Sequence, residues 1–208
     1  MEEKAAIRNV VFDMGGVLMD FDTKLFSHLY VDNDADAALI ETALYANPSW
    51  ALLDSGVISE ATMEAMARDR LPQRLWEPMQ TGFAEWQEHQ PILPAMNKQV
   101  ELIHKAGYGC YLLSNAGVRW WKMKERIPSF SCMDGFMVSA FERIMKPEPL
   151  IYRSLCARYQ LEISSCLFVD DNPDNCRGAE RAGMQSYLYD GNASHFERAA
   201  KQNFGLSY

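Results

Sequence analysis

At 208 residues, the chain is long enough for one well-buried core and a smaller appended unit, since domains commonly run to roughly 100–200 residues. Hydrophobic residues at 48% and charged residues at 23% exclude a disordered chain, and a formal net charge of -8 repels polyanions and argues against nucleic acid as a partner. The N-terminal segment shows no signal-peptide pattern and no apolar run approaches the roughly 20 residues that span a bilayer, so a cytoplasmic protein with no membrane partner is expected.

Residues 7–12 are a short apolar, partly β-branched run ending at Asp13 and the pair Gly15-Gly16, which reads as a buried parallel strand entering a tight loop. Residues 22–90 differ: no strand pattern stands out, and amphipathic stretches at 35–45 and 59–70, the latter with Ser59 as N-cap, predict a helical insertion. Because it leaves after the first strand and returns near Pro91, the insertion should sit above the loop carrying Asp13, where a lid excludes water and selects substrates.

The strand pattern then returns. Residues 108–113 stop at Ser114-Asn115, 136–138 follow Asp134-Gly135, 166–169 stop at Asp170-Asp171, and 186–189 end at Asp190-Gly191. Between them, 95–106, 149–159 and 174–182 carry helix start and stop signals, with Gly107 and Gly183 closing two of them and Pro149 opening the third. Alternating strand and helix require an α/β fold with a parallel sheet covered on both faces, and such folds bind ligands beyond the carboxyl ends of the strands. The five cysteines make neither a CxxC pair nor a zinc spacing and read as free thiols, and the four histidines are dispersed.

Four groups at strand ends carry the chemistry. Asp13 is either a turn residue or a carboxylate nucleophile, able to split phosphoryl transfer into two steps through an acyl phosphate. Ser114 and Asn115 are ordinary turn chemistry or donors to phosphoryl oxygens. Lys146, before Pro147, is a surface lysine or a cation for the same group. Asp170 and Asp171 are a helix cap or an adjacent pair whose repulsion a magnesium ion would offset, because Mg²⁺ favours one or two carboxylates, phosphate oxygen and water.

In their order along the chain, VVFDMGGVLMD, YLLSNAG, KPEP and LFVDDNPDNCRGAERAG resemble the four motifs of the haloacid dehalogenase-like (HAD) superfamily, and the helical insertion resembles its C1 cap. The resemblance implies a Rossmannoid core formed by 1–21 and 91–208, a cap formed by 22–90, and a Mg²⁺-dependent phosphomonoester hydrolase acting on a small phosphorylated metabolite. Asp13 would attack phosphorus, with Ser114 and Lys146 holding the phosphoryl oxygens. Asp13, the Gly15 carbonyl, Asp170 and Asp171 would surround the metal, Asp171 as the more direct ligand. Gly16 and Asn115 would border the substrate, and Trp120 is a further candidate for the pocket wall.

One departure matters. The family's phosphatases usually place an acid/base aspartate two residues after the nucleophile, where this chain has Gly15. Such a group is typically worth roughly 10²–10⁴-fold in rate, and Asp20 or Asp22 are the nearby carboxylates that could replace it. Sugar-phosphate phosphatases resembling α-glucose-1-phosphatase share the D-x-G-x-V motif, which favours a small sugar phosphate. The alternatives are a 2-haloacid dehalogenase, disfavoured by the uncompensated Asp170-Asp171 pair, and a binding protein without turnover.

Overall fold

The five apolar runs become five parallel strands in the computed structural model, which describes residues 5–208; residues 1–4 of the expected core lie outside the described residues. They are β1 (Asn9–Phe12), β2 (Gly109–Ser114), β3 (Gly135–Val138), β4 (Cys166–Asp170) and β5 (Gln185–Leu188), in the spatial order β3-β2-β1-β4-β5. β1 is central, with Val11 opposite both Tyr111 and Phe168. That register brings Asp13, Ser114 and Asp170 to the same edge of the sheet.

The alternation of side chains along a strand divides the core in two. Val10, Phe12, Leu112 and Val169 face one way, onto Val100 and Ile103 of a helix and Phe196 of another. Val11, Leu113 and Phe168 face the other way, onto Ile151, Tyr152 and Leu155. The central strands are therefore apolar on both faces along their middles, with polar residues (Asn9, Ser114, Asp170) at their ends, as a sheet covered on both faces demands.

The helices, in chain order, are α1 (Thr23–Ser27), α2 (Asp34–Ile40), α3 (Trp50–Asp54), α4 (Glu60–Arg68), α5 (Trp76–His89), α6 (Pro94–Lys105), α7 (Trp120–Met123), α8 (Ser139–Glu142), α9 (Pro149–Tyr159), α10 (Pro173–Ala182) and α11 (Ala193–Asn203). α2 runs on into a π-helical stretch, Glu41–Tyr45. Ser59 accepts the Thr62 N–H and opens α4, as its cap chemistry requires, and Gly183 ends α10 at φ 109°, a conformation that favours glycine. α11 had no counterpart in the sequence reading. Its signal is Asn192, whose side chain accepts the Ser194 N–H, followed by Phe196 and Ala200 on the buried side.

From α1 to α5 every regular element is helical, and these helices meet over an aromatic cluster. Phe21, Phe26, Trp50 and Trp86 have ring centroids 5.2–5.5 Å apart in successive pairs, an arrangement in which tilted and edge-on rings each add to area burial. None of the described helices is long and apolar enough to cross a membrane.

Candidate active site

Asp13 follows β1 directly, and its backbone N–H still bonds the Val169 carbonyl of β4 at 2.9 Å, so the sheet fixes its position. The loop beyond folds tightly: the Met14 carbonyl accepts the N–H groups of Val17, Leu18 and Met19, while the Gly16 N–H bonds Met19. None of these bonds uses the Gly15 carbonyl. Gly16 sits at φ 68°, and a Cβ there would lie 2.2 Å from Asp171 Oδ2. Both the backbone angle and the close approach therefore require glycine.

Lys146 is the electrostatic centre. Its Nζ lies 2.7 Å from Asp13 Oδ1 and 2.7 Å from Asp170 Oδ2, and all three side chains are buried. Asp170 also accepts from the Asn172 N–H at 2.8 Å and from Asn175 Nδ2 through both oxygens, at 3.1 and 3.0 Å. Its neighbour Asp171 is exposed at the rim.

Burial would lower the Lys146 pKa, but the two carboxylates outweigh it and hold the ammonium charged. Burial pushes Asp13 above the usual carboxylate range, Lys146 opposing and Asp170 reinforcing the shift. Desolvation, and then the charge of Asp170, push Asp171 up as well. One ammonium is thus set against three carboxylates.

Among the described residues, oxygens of Asp13, Asp170 and Asp171 lie within 4.8 Å of one another. An all-oxygen set carrying excess negative charge, with a backbone carbonyl left unengaged beside it, matches the chemistry of a hard divalent cation. The residues present fit Mg²⁺.

Two further features hold Lys146 in place. The Asn115 amide clamps its backbone from both ends, Nδ2 donating to the Lys146 carbonyl at 3.0 Å and Oδ1 accepting its N–H at 2.9 Å. Behind it, Gly178 of α10 approaches Pro147 so closely that a Cβ would meet the Pro147 carbonyl oxygen at 2.3 Å.

A cavity of about 210 Å³ opens over Asp13 and Ser114. Phe21, Trp50, Phe83 and Trp86 make its aromatic wall, and Asp54, Glu60, Gln90 and Arg119 supply polar groups. Arg119 bonds both Glu60 oxygens and Gln87 Oε1 and lies 4.6 Å over the Phe83 ring. It thereby ties the loop after β2 to α4 and α5.

The model of the haloacid dehalogenase-like hydrolases matches residues 7–183. The chain belongs to this family. Solved structures of haloacid dehalogenase-like proteins share the fold. A HAD family enzyme from Bacteroides thetaiotaomicron, determined with magnesium and inorganic phosphate, is 20% identical with a TM-score of 0.67 over 92% of this chain and 99% of that one. A predicted HAD-like family hydrolase from Porphyromonas gingivalis is 24% identical, TM-score 0.67, over 95% and 100%. The L-2-haloacid dehalogenase of Xanthobacter autotrophicus is 17% identical, TM-score 0.62, over 86% and 76%.

Within this haloacid dehalogenase-like hydrolase, Asp13, Gly15, Gly16, Ser114, Asn115, Lys146, Asp170 and Asp171 all gather at one end of the sheet. Trp120 does not join them. It is fully buried, packed against Phe130 and Phe136 with ring centroids 5.7 and 5.2 Å away, because α7 turns its first residue inward. The tryptophans that wall the cavity are Trp50 and Trp86. Asn115 borders the cavity, but its amide is committed to Lys146. Asp20 and Asp22 are turn and cap residues: Asp20 accepts the Phe21 N–H and Asp22 the Leu25 N–H. Sequence reasoning missed Asp54 and Arg119, since no local pattern joins residue 54 to the loop at 115–119; Asp54 before Ser55-Gly56 looks like any turn residue.

Proposed function

We propose that the protein is a Mg²⁺-dependent phosphomonoester hydrolase acting on a small phosphorylated metabolite through a phosphoaspartate on Asp13, with residues 22–90 serving as the cap. The observation that carries this reading is the convergence of Asp13, Asp170 and Asp171 around Lys146, beneath a cavity large enough for a small leaving group.

Asp13 is held by the sheet with its carboxylate at the cavity floor, positioned for in-line attack on a phosphorus above it. Lys146 neutralises charge on the transferring group, and Ser114, buried at the end of β2, presents a hydroxyl to a phosphoryl oxygen. A Mg²⁺ held by Asp13, Asp171 and the Gly15 carbonyl, with Asp170 in support, would supply further charge neutralisation. The Asn115 clamp keeps Lys146 from following the substrate out. The aromatic wall, together with Trp86 Nε1 and Gln90 Oε1, which are buried without partners among the described residues, suits a hydroxylated ring, and supports a sugar phosphate as substrate.

A 2-haloacid dehalogenase would share the fold and the Asp13 nucleophile but would need no metal. One lysine against three carboxylates leaves an anionic floor that repels a haloacid carboxylate. The test is phosphate release from a panel of sugar phosphates and an aryl phosphate, in Mg²⁺ or EDTA, by wild type and Asp13→Asn. Release is expected to require both Mg²⁺ and Asp13. Halide release from a 2-haloacid, with no phosphate release from any ester, would overturn the reading.

A further inference from the structure

A hydrolase working through phosphoaspartate needs a group that protonates the leaving oxygen and later activates water, and Gly15 brings no side chain to the nucleophile's loop. A Cβ at that position would meet nothing within 4 Å. Of the carboxyl groups lining the cavity, Asp13 is paired with Lys146 and Glu60 with Arg119. The third, Asp54, has no ion pair among the described residues.

Asp54 is the last residue of α3, and the segment around it touches the core. The Asp54 carboxyl lies beside the loop that begins with Ser114: a Cβ on Gly117 would stand 3.8 Å from Asp54 Oδ1. Its backbone carbonyl accepts the Ser139 hydroxyl at 2.5 Å, and the same hydroxyl accepts the Ala116 N–H at 3.0 Å. Two residues on, Gly56 at φ 70° approaches α8 so closely that a Cβ would lie 2.5 Å from the Ala140 carbonyl oxygen. Residues 53–56 are thus seated directly on the loops that follow β2 and β3, which fixes Asp54 relative to Asp13. Fixed placement is the first requirement of a proton-transfer group.

We propose that Asp54 is the general acid and base of this site, supplying from the insertion the carboxyl that Gly15 does not. The proposal rests on the phosphomonoesterase reading and extends it. In the first step Asp13 forms a bond to phosphorus, the bond from phosphorus to the ester oxygen breaks, and the Asp54 carboxyl gives that oxygen its proton. In the second step the Asp54 carboxylate takes a proton from water as the water oxygen bonds phosphorus and the bond to Asp13 breaks. Inorganic phosphate, the Asp13 carboxylate and the protonated Asp54 result. Burial pushes the Asp54 carboxyl up to about 8, the charge of Asp13 adding to this and the Gly117 amide and Trp50 indole opposing it, so the acid form is available at neutral pH. The charged groups sharing the cavity with it are Asp13 and the Arg119–Glu60 pair.

The experiment compares wild type and Asp54→Asn in saturating Mg²⁺, in single-turnover and burst kinetics, on 4-nitrophenyl phosphate and on a sugar phosphate. A nitrophenolate leaves without a proton, whereas a sugar alkoxide does not. Phosphorylation of Asp13 by the sugar phosphate should therefore fall by roughly 10²–10⁴-fold in Asp54→Asn, while the nitrophenol burst stays within about 10-fold of wild type and is followed by slow turnover. The burst amplitude counts folded, competent sites, so a loss of folded protein does not mimic the result. Equal losses on both substrates, no loss on either, or no burst from Asp54→Asn overturns the proposal. If wild type itself releases no phosphate from either compound, the phosphomonoesterase reading fails and takes the proposal with it.

Discussion

Replacing Lys146 with methionine keeps a long unbranched side chain but leaves Asp13 and Asp170 facing each other without their shared cation. At 2.7 Å from each carboxylate oxygen, each ion pair is worth about 6 kcal/mol in Coulomb energy at an effective dielectric constant near 20. Desolvation of the buried ammonium offsets much of this, and removing one partner of a buried pair typically costs about 3–5 kcal/mol. In a chain of this size about 1 kcal/mol moves Tm by roughly 2–4 °C, so Tm in EDTA at pH 8 should fall by about 6–20 °C. The loss has a definite pH dependence. Without Lys146 the folded-state pKa of Asp13 rises further above its unfolded value, so the folded state takes up protons and the variant gains stability as pH falls toward 5. The gap from wild type should narrow there, and also on adding Mg²⁺ at pH 8. Thermal and urea unfolding at pH 5 and 8, each with EDTA or Mg²⁺, check all of this. A variant within about 1 kcal/mol of wild type at pH 8 in EDTA would refute the assignment of Lys146 as the charge that holds this site together.

Gly16→Ala should lose about 1–2 kcal/mol to its left-handed backbone and displace Asp171, raising the Mg²⁺ concentration needed for half-maximal turnover; Mg²⁺ titration of activity reads this directly. Asn115→Ala removes two hydrogen bonds to the Lys146 backbone and should cost about 1–3 kcal/mol in urea unfolding, with kcat falling more than KM rises. Trp120→Ala should destabilise by about 3–5 kcal/mol as a core truncation while leaving the KM of the folded fraction unchanged. Trp50→Ala should instead raise KM through loss of the cavity wall, as steady-state kinetics would register.

The alternation of apolar strands and helices, each punctuated by Gly, Pro or an Asx cap, was enough to read the parallel sheet and the polar residues at its carboxyl ends, because strand burial and helix termination are local chemistry. Asp13, Ser114, Lys146 and the Asp170-Asp171 pair were legible for the same reason: each directly ends a strand or precedes a proline. α11 was harder to see, its cap lying in a polar stretch after the edge strand. What the side chains do once assembled belonged to tertiary structure alone. Asn115 could be recognised as a polar residue near the site, but only the approach of the loop at 146 turned its amide into a clamp. Trp120 and Trp50 look alike in a list of aromatics; the inward turn of α7 buried the first in the core, and the seating of α3 opened the second to the cavity. Asp54 owes its place to contacts with Gly117 and Ser139, more than sixty residues away in the chain, and no local rule of sequence encodes which distant loops a turn will meet. Local periodicity thus determined the layers and the strand ends, while the packing of residues far apart in the chain decided which polar groups face one another across the cavity.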